Sequence, residues 1–513
     1  MAAPSTSYEP RCPAQGVLYQ IVRDHFETFR AQAASLRDGE GLPRFVEQEF
    51  RDFLQCGWLA GGFARFRCGD CGLDRLVPFS CKTRAMCPSC GGRRMAERSA
   101  HLLDHVFPDV PVRQWVLSLP YRMRYQLAWN HDVCRGVVAV FVRAVLGFLR
   151  TRARDDGVAD GRGGAVAVIQ RFGGALNLNL HVHALVLDGV FAKHPAGALT
   201  FHPTRRLTAL DVDEVLATVE PRITRLLDRR GLGEGDDDGS ASDAWAEDAP
   251  LLAGLAAASV QGTVALGPHP GARLRRLGDP PEEGEAPAHD GCHARANGFD
   301  LHAGLVVPAG QRDRLERMCR YALRPPVSQE RIHLTDEGQV RLQLRQPWRD
   351  GTTDVVFNPV EFLGRLAVLV PRPRINLILY HGVLGPRAAW RTDVVRRQTS
   401  EEGGDAGLKE SAAEQAREVD PVETARRRAR GQCWASLMTR TFGFDVLACP
   451  RCGGRLRVIA LIEDAAVIGP ILRHLGLPTA IPAPRPARAP PRHVGIPDVA
   501  SGDENASVFD PCS

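Results

Sequence analysis

Apolar positions recur at two spacings along this chain, and the switches between them mark out its elements. Leu18, Ile21, Val22, His25, Phe26 and Phe29 recur at helical spacing, as do Phe45, Phe50, Phe53 and Leu54, predicting two N-terminal helices. Residues 93–107 predict a helix that Pro108 stops, and 114–119 a strand closed by Pro120. A long helix follows over 133–151, with Val137, Val140, Phe141, Val145 and Phe148 on its packing side. Residues 165–172 and 177–187 read as two strands joined by Gly173-Gly174, a hairpin signal, and 212–227 as another helix. Further on come a strand over 301–307, a helix over 311–323, a hairpin of 332–334 with 340–344, and a helix over 360–369 that ends before Pro371.

The strand over 177–187 carries the most specific chemistry. Side chains alternate faces along a strand, so Asn177, Asn179, His181 and His183 share one face while Leu176, Leu178, Leu180 and Val182 share the other. The apolar face is expected in a core, with the polar face left free. Two imidazoles two apart on a rigid strand can chelate one cation through their neutral rings. The bland alternative is a half-exposed strand with two solvated histidines.

The helix over 311–323 is two-faced. Leu315, Met318, Cys319 and Ala322 form its apolar side, whereas Arg314, Arg317, Tyr321 and Arg324 form the opposite stripe. Flanking guanidinium groups lower the cost of a phenolate and bind the phosphate it would attack. Beside a His-x-His strand, this stripe points to metal-assisted transesterification of a phosphodiester by tyrosine. A surface tyrosine among solvated arginines is the simpler alternative.

Composition limits the classes. The chain has 513 residues, 44% of them hydrophobic, enough for more than one core. No run of eighteen uncharged apolar residues occurs, and residues 1–10 lack a signal pattern, so a soluble, cytoplasmic protein is expected. Net charge is +5, with acidic residues concentrated in 234–248 and 279–290. Only Lys82, Lys193 and Lys409 are lysines. Arginine suits bidentate phosphate contacts, yet its dominance alongside Ala, Gly and Pro also fits a GC-rich coding sequence.

Fourteen cysteines without a secretory pattern argue for metal before disulfide. Cys68-x-x-Cys71 and Cys87-x-x-Cys90 predict a closed four-thiolate structural Zn²⁺ site, with Cys81 as an alternative ligand. Cys449-x-x-Cys452 is half of a second site, for which Cys433 and His474 are available in sequence. Cys12, Cys56, Cys134, Cys292, Cys319, Cys433 and Cys512 are read as core or incidental. Arg65, Arg67, Lys82, Arg84, Arg93 and Arg94 around the first cluster suggest a face turned to DNA. Arg84, Arg93, Arg94, Arg314 and Arg320 are the candidate DNA contacts.

Several segments together resemble one family. They are RCGDCGLDRLVPFSCKTRAMCPSCGGRR, VRQWVLSLPYRMRY, QRFGGALNLNLHVHALVLDGVF, MCRYALRPPVS, DGTTDVVFNPVEFLGRLAVLVPRPRINLILYHGVLGPRAAWR and CPRCGGRLRVIALIED. In this order they are similar to the rolling-circle insertion-sequence transposases of the HUH endonuclease superfamily, close to the common-region (ISCR-type) elements. The resemblance spans residues 12–475, with gaps at the acidic insert. It implies an α+β fold with a central antiparallel sheet flanked by helices, behind an N-terminal zinc-knuckle domain. The HUH pair falls on His181 and His183, the nucleophile on Tyr321, and the zinc ligands on Cys68, Cys71, Cys87 and Cys90. Arg317 and Arg324 then assist catalysis. Two-tyrosine members carry a second tyrosine one turn away; here those positions are Arg317 and Pro325, so the chain resembles the one-tyrosine type. The catalytic ion is expected to be Mg²⁺ or Mn²⁺, with Gln170 as first choice for its remaining ligand and Asn179 as second.

The expected organisation is an N-terminal helical and zinc-binding domain over 12–108 and a catalytic domain over 111–395 with an acidic insert at 231–297. A linker over 396–425, a C-terminal segment over 426–477 and an unstructured tail over 478–513 complete it. The resemblance implies a prokaryotic, nucleoid-associated protein whose expected partners are single-stranded element ends and target DNA, with a homo-oligomer compatible and no membrane. A plasmid replication initiator or relaxase with the same nicking chemistry is the nearest rival reading. A non-enzymatic zinc DNA-binding protein is the other.

Overall fold

The computed structural model describes residues 12–35, 41–194, 197–233, 243–267, 269–278, 291–395, 435–440 and 445–488. The expected linker over 396–425, Cys433 and most of the expected tail lie outside them. Among the described residues every strand pairing is antiparallel and helices cover the sheets, so the α+β expectation holds. No helix among them is long and apolar enough to cross a membrane.

A seven-stranded sheet organises the molecule. Its order runs Ile378–Gly382, Gly164–Phe172, Leu178–Leu187, Val112–Ser118, Phe299–His302 and His293–Ala296, with Val306–Val307 also on Val112–Ser118. One face meets the long helix His131–Asp155 and its neighbours. There Trp115, Leu117, Ile169, Val182 and Ala184 pack in the same core as Val137, Phe141 and Val145. The other face is apolar at one end only, where Val112, Val166, Leu185 and Leu187 pack with Leu102 and Leu103 of helix Pro88–His105 and with Phe107 just beyond it. Leu315, Met318 and Cys319 of helix Arg312–Ala322 join that core. Arg312 donates to the carbonyls of Leu103 and Phe107, tying the two helices together.

This packing corrects one expectation. Every residue of Leu178–Leu187 is buried, so neither face of the histidine strand is half-exposed. The strand is central, and the helix carrying Tyr321 lies over the polar end of its second face. Alternation distinguishes the two faces of a strand but says nothing about what will cover the polar one.

The acidic insert is more structured than its composition suggests. Ala244–Asp248 and Pro250–Gln261 are helices, and Trp245, Leu251, Leu252 and Leu255 enter the main core. The C-terminal segment also departs from expectation. Strand Leu456–Ile462 pairs antiparallel with Phe63–Cys68, which pairs in turn with Asp74–Pro78, making a three-stranded sheet from both ends of the chain. Residues 478–488, expected to be unstructured, run against the first helix, Val17–Ser35. The Arg485 amide donates to the Arg23 carbonyl at 2.8 Å and the Arg488 amide to Thr28 Oγ1 at 3.0 Å.

Candidate active site and cysteine centres

Cross-strand register lays the polar residues out in rows. Gln170 stands opposite His181, His181 opposite Ser118, and Ser118 opposite Asp300. The next row holds Val168, His183, Val116 and His302. Directly opposed residues share a face, so these side chains rise from the sheet together, beneath the end of the tyrosine helix. The pairing slips between Gln170 and Phe172, an irregularity of the kind that re-aims side chains beside functional sites.

Both histidines are held as neutral rings. Burial above all lowers His181 to about 4, Arg324 and Arg124 lower it further, and the hydrogen bond to Asn179 opposes them. His183 is pushed well below its usual range by burial first, then by His181 and Arg324. His181 Nδ1 lies 3.0 Å from the Asn179 carbonyl oxygen, so it donates there and leaves the Nε2 lone pair free. His183 Nδ1 lies 2.6 Å from the Gln114 amide nitrogen, and its Nε2 is buried without a partner. A half-turn of the Gln114 amide would place Oε1 on an Nδ1–H and free Nε2 as a donor to a cation.

Tyr321 reaches this site from the helix end. Its ring centroid is 5.8 Å from that of His183, at an interplanar angle of 83°. The side chain is 47% exposed, so its hydroxyl can meet a macromolecular substrate. Gln170 Nε2 donates to the carbonyls of Tyr321 at 3.2 Å and Ala322 at 2.6 Å, serving acceptors that a helix terminus leaves unpaired. The other end of that amide, Gln170 Oε1, is buried and unpartnered, as are Asn179 Oδ1 and Ser118 Oγ. Buried polar atoms normally find partners, so their concentration around two free imidazole nitrogens fits a bound cation or water.

Arginines frame the tyrosine, though not only those on its stripe. The Arg324 guanidinium lies 4.1 Å from the Tyr321 ring centroid and 5.6 Å from that of Phe172. Arg317 and Arg314 are exposed on the preceding turns, Arg314 donating to Gln311 at 2.8 Å. Two further arginines, missed in the sequence, belong here. Arg331 is lowered to about 10, by burial first and then by Arg345 and Arg324. Arg345 is lowered by burial and then Arg324, with Tyr321 acting the opposite way. The three guanidinium groups lie within one another's field, and Arg331 already donates to the Gln343 carbonyl at 2.6 Å and the Gly174 carbonyl at 2.9 Å. They come together only when the hairpin Ile332–Leu334 with Val340–Gln343 folds beside the helix, which no local pattern signals.

Several expected DNA contacts have intramolecular partners. Arg84 donates to the Ile375 carbonyl at 2.6 Å, Arg94 to the Lys82 carbonyl at 2.8 Å, and Arg320 pairs with Glu316 at 2.6 Å. Arg93 is exposed.

The cysteines form two tetrads, the second of them completing the half-site at Cys449 and Cys452, but the ligands are divided differently from the expectation. Cys56, Cys81, Cys87 and Cys90 converge, with sulfur separations of 3.7 Å for Cys56–Cys87, 3.8 Å for Cys56–Cys90 and 3.5 Å for Cys81–Cys90. Cys68 and Cys71 are drawn away to Cys449 and Cys452. The expected Cys68/Cys71/Cys87/Cys90 quartet is therefore corrected, as is the reading of Cys56 as incidental and of Cys81 as a mere substitute. Cys433 lies outside the described residues, and His474 is not in the second tetrad. The physical reason is that Cys56 follows helix Arg44–Gln55 directly, so helix packing, not knuckle spacing, delivers it beside Cys87. Tetrahedral Zn–S bonds of ~2.3 Å imply S···S edges of about 3.8 Å, which both tetrads approach. Cys87 caps helix Pro88–His105, a position that favours thiolate, and the other three cysteines hold its thiol well below the ordinary range.

Comparison with known families accords with this geometry. Residues 164–390 match a family model described as "Putative transposase", and residues 21–119 match one described as "Transposase zinc-binding domain". No curated protein and no solved structure gives a significant match. The chain thus carries the domains of a DNA transposase, a DNA-processing enzyme with structural Zn²⁺. The zinc-binding match is of the IS91 type, which supports an IS91-family insertion-sequence transposase.

Proposed function

We propose that this transposase is a rolling-circle enzyme of the HUH type, close to the common-region elements, which nicks and rejoins single-stranded element ends through Tyr321. The observation that carries the reading is the Tyr321 ring set edge-on to His183, on a helix that Gln170 fastens to the histidine sheet. Among the described residues, the sets of three or more closely placed His, Cys, Asp or Glu ligands are the two cysteine tetrads. A third ligand to a cation on the histidines therefore comes from an amide. His181 Nε2, His183 Nε2 and Gln170 Oε1 would hold the ion, with Asn179 Oδ1 the next donor. A bound Mg²⁺ or Mn²⁺ would polarise the scissile phosphate.

The protein's own groups do the rest. Arg324, Arg331 and Arg345 hold phosphate oxygens whose charge grows as the phosphorus is attacked. The Tyr321 oxygen forms a bond to phosphorus as the bond from phosphorus to the 3′-oxygen breaks. The phenolic proton passes to solvent, and the departing oxygen takes up a proton to become a free 3′-OH. The 5′-phosphotyrosyl ester keeps the energy of the broken bond, so the reverse attack rejoins DNA without a nucleotide cofactor. Arg317 and Pro325 occupy the flanking turns, so Tyr321 acts as the single nucleophile of its helix.

Incubating the protein with labelled single-stranded element ends and Mn²⁺ tests this. A covalent adduct that disappears in Tyr321→Phe is expected. Binding without any adduct would favour a non-enzymatic zinc DNA-binding protein, and nicking without end joining a replication initiator or relaxase.

A further inference from the structure

The second cysteine tetrad contains residues from both ends of the chain. Cys68 and Cys71 lie in the N-terminal domain, and Cys449 and Cys452 follow the catalytic region. The zinc-binding family match stops at residue 119 and so contains all of the first tetrad but half of this one. Cys68 Sγ lies 3.5 Å from Cys452 Sγ, and Cys71 Sγ 3.6 Å from Cys449 Sγ. None of these four cysteines is in a disulfide. Such separations are far beyond a disulfide bond and close to a tetrahedral zinc edge.

The two half-sites have the same backbone geometry. The Cys68 amide donates to the Leu73 carbonyl at 2.9 Å, and the Gly72 amide returns to the Cys68 carbonyl at 3.2 Å. At the other end the Cys449 amide donates to Gly454 at 2.7 Å, and the Gly453 amide to Cys449 at 2.9 Å. Gly72 and Gly453 occupy equivalent places with φ of +70° and +75°, a conformation that favours glycine. Two matching knuckles brought face to face are what a closed tetrathiolate site requires.

The surrounding sheet is held by small apolar clusters. Its core here is Phe66 and Leu456 beneath the sulfurs, with Ala64, Leu73, Val77 and Leu447 partly buried around them. Along strand Leu456–Ile462, Val458, Ile459 and Leu461 are each more than half exposed. With only this cluster and a second small one of Phe63, Ile468 and Leu472, the sheet gains cohesion from a metal at the sulfurs.

We infer that Cys68, Cys71, Cys449 and Cys452 bind a second structural Zn²⁺ that clasps the C-terminal strand onto the N-terminal domain. This metal is independent of the nicking chemistry, and its presence is read without any activity assay.

The test uses the full chain purified with zinc, alongside Cys452→Ser and the double variant Cys449→Ser/Cys452→Ser. Elemental analysis should find two zinc ions per wild-type chain and one in the double variant. Cobalt substitution should show tetrathiolate absorption halved by the same change. Hydrogen exchange should speed up in 456–462 and in its partner 63–68, while amides of Gly164–Phe172 stay protected. That retained protection separates loss of the clasp from global misfolding. One zinc per wild-type chain, or two in the double variant, overturns the inference.

Discussion

The rings of His183 and Tyr321 meet edge to face, with centroids 5.8 Å apart and planes at 83°. The two residues come from a central strand and from a helix more than a hundred positions later. Helix Arg312–Ala322 and helix Pro88–His105 share the apolar core that sets their distance, and Gln170 closes the contact by bonding the last carbonyls of the tyrosine helix. The proposed nucleophile and the candidate metal ligands therefore rest on rigid elements, which catalytic geometry demands.

Tyr321→Phe should abolish the covalent DNA adduct. The change removes one half-exposed oxygen, so folding and DNA affinity should scarcely alter. Peptide mapping of the wild-type adduct decides the assignment. A nucleotide on Tyr121, Tyr125 or Tyr380 would show that another residue attacks. Tyr125 is the least suited of these, because its hydroxyl donates to Asp243 at 2.7 Å and its pKa lies above the usual tyrosine value.

Replacing His181 or His183 by Ala should remove cleavage and spare DNA binding. Gln114→Leu gives a finer test, because the Gln114 side-chain amide bonds His183 at Nδ1 and not at the nitrogen that would hold the ion. Losing such a support typically costs ~10–100-fold in metal affinity. Cleavage by Gln114→Leu should therefore need more Mn²⁺ and recover at saturation, whereas His183→Ala should not recover. An unchanged Mn²⁺ dependence would count against ring orientation by Gln114.

The histidine pair, the tyrosine and the apolar face of its helix were all legible in the sequence, because each follows from one local period. Gln114 and Ser118 were not. They sit on a strand whose alternation was visible, but only cross-strand register sets Ser118 against His181. Arg331 and Arg345 were hidden for a similar reason, since a separate hairpin carries them to the tyrosine. The cysteines show how spacing misleads. Cys-x-x-Cys pairs point to metal, yet which pairs converge depends on which strands pair. Leu456–Ile462 pairs with Phe63–Cys68 across nearly the whole chain.

Arg345→Ala should weaken cleavage more than Arg314→Ala. Arg345 stands in the field of both Tyr321 and Arg324, whereas Arg314 lies two turns back, bonded to Gln311. Removing one preorganised donor to developing phosphate charge costs roughly 10²-fold in rate. Single-turnover cleavage at saturating DNA separates this from lost affinity. Equal effects of the two substitutions would mean that Arg345 serves general attraction to DNA and not the scissile phosphate.

Cys87→Ser should release zinc from the first tetrad and unfold the N-terminal domain around it. Cys87 is buried, caps helix Pro88–His105 and lies 3.7 Å from Cys56 Sγ, so its loss opens the tetrad at its centre. The main core runs through Met86, Cys87 and Cys90 to Phe50 and Phe53 of helix Arg44–Gln55. Zinc binding in such sites is folding free energy, on the order of 10 kcal/mol, comparable with the whole stability of a domain. Elemental analysis and circular dichroism of wild type and variant check it together. Zinc lost with helical content unchanged would show that helix packing alone holds this end of the molecule. A wild type that purifies without zinc would remove the structural metal altogether.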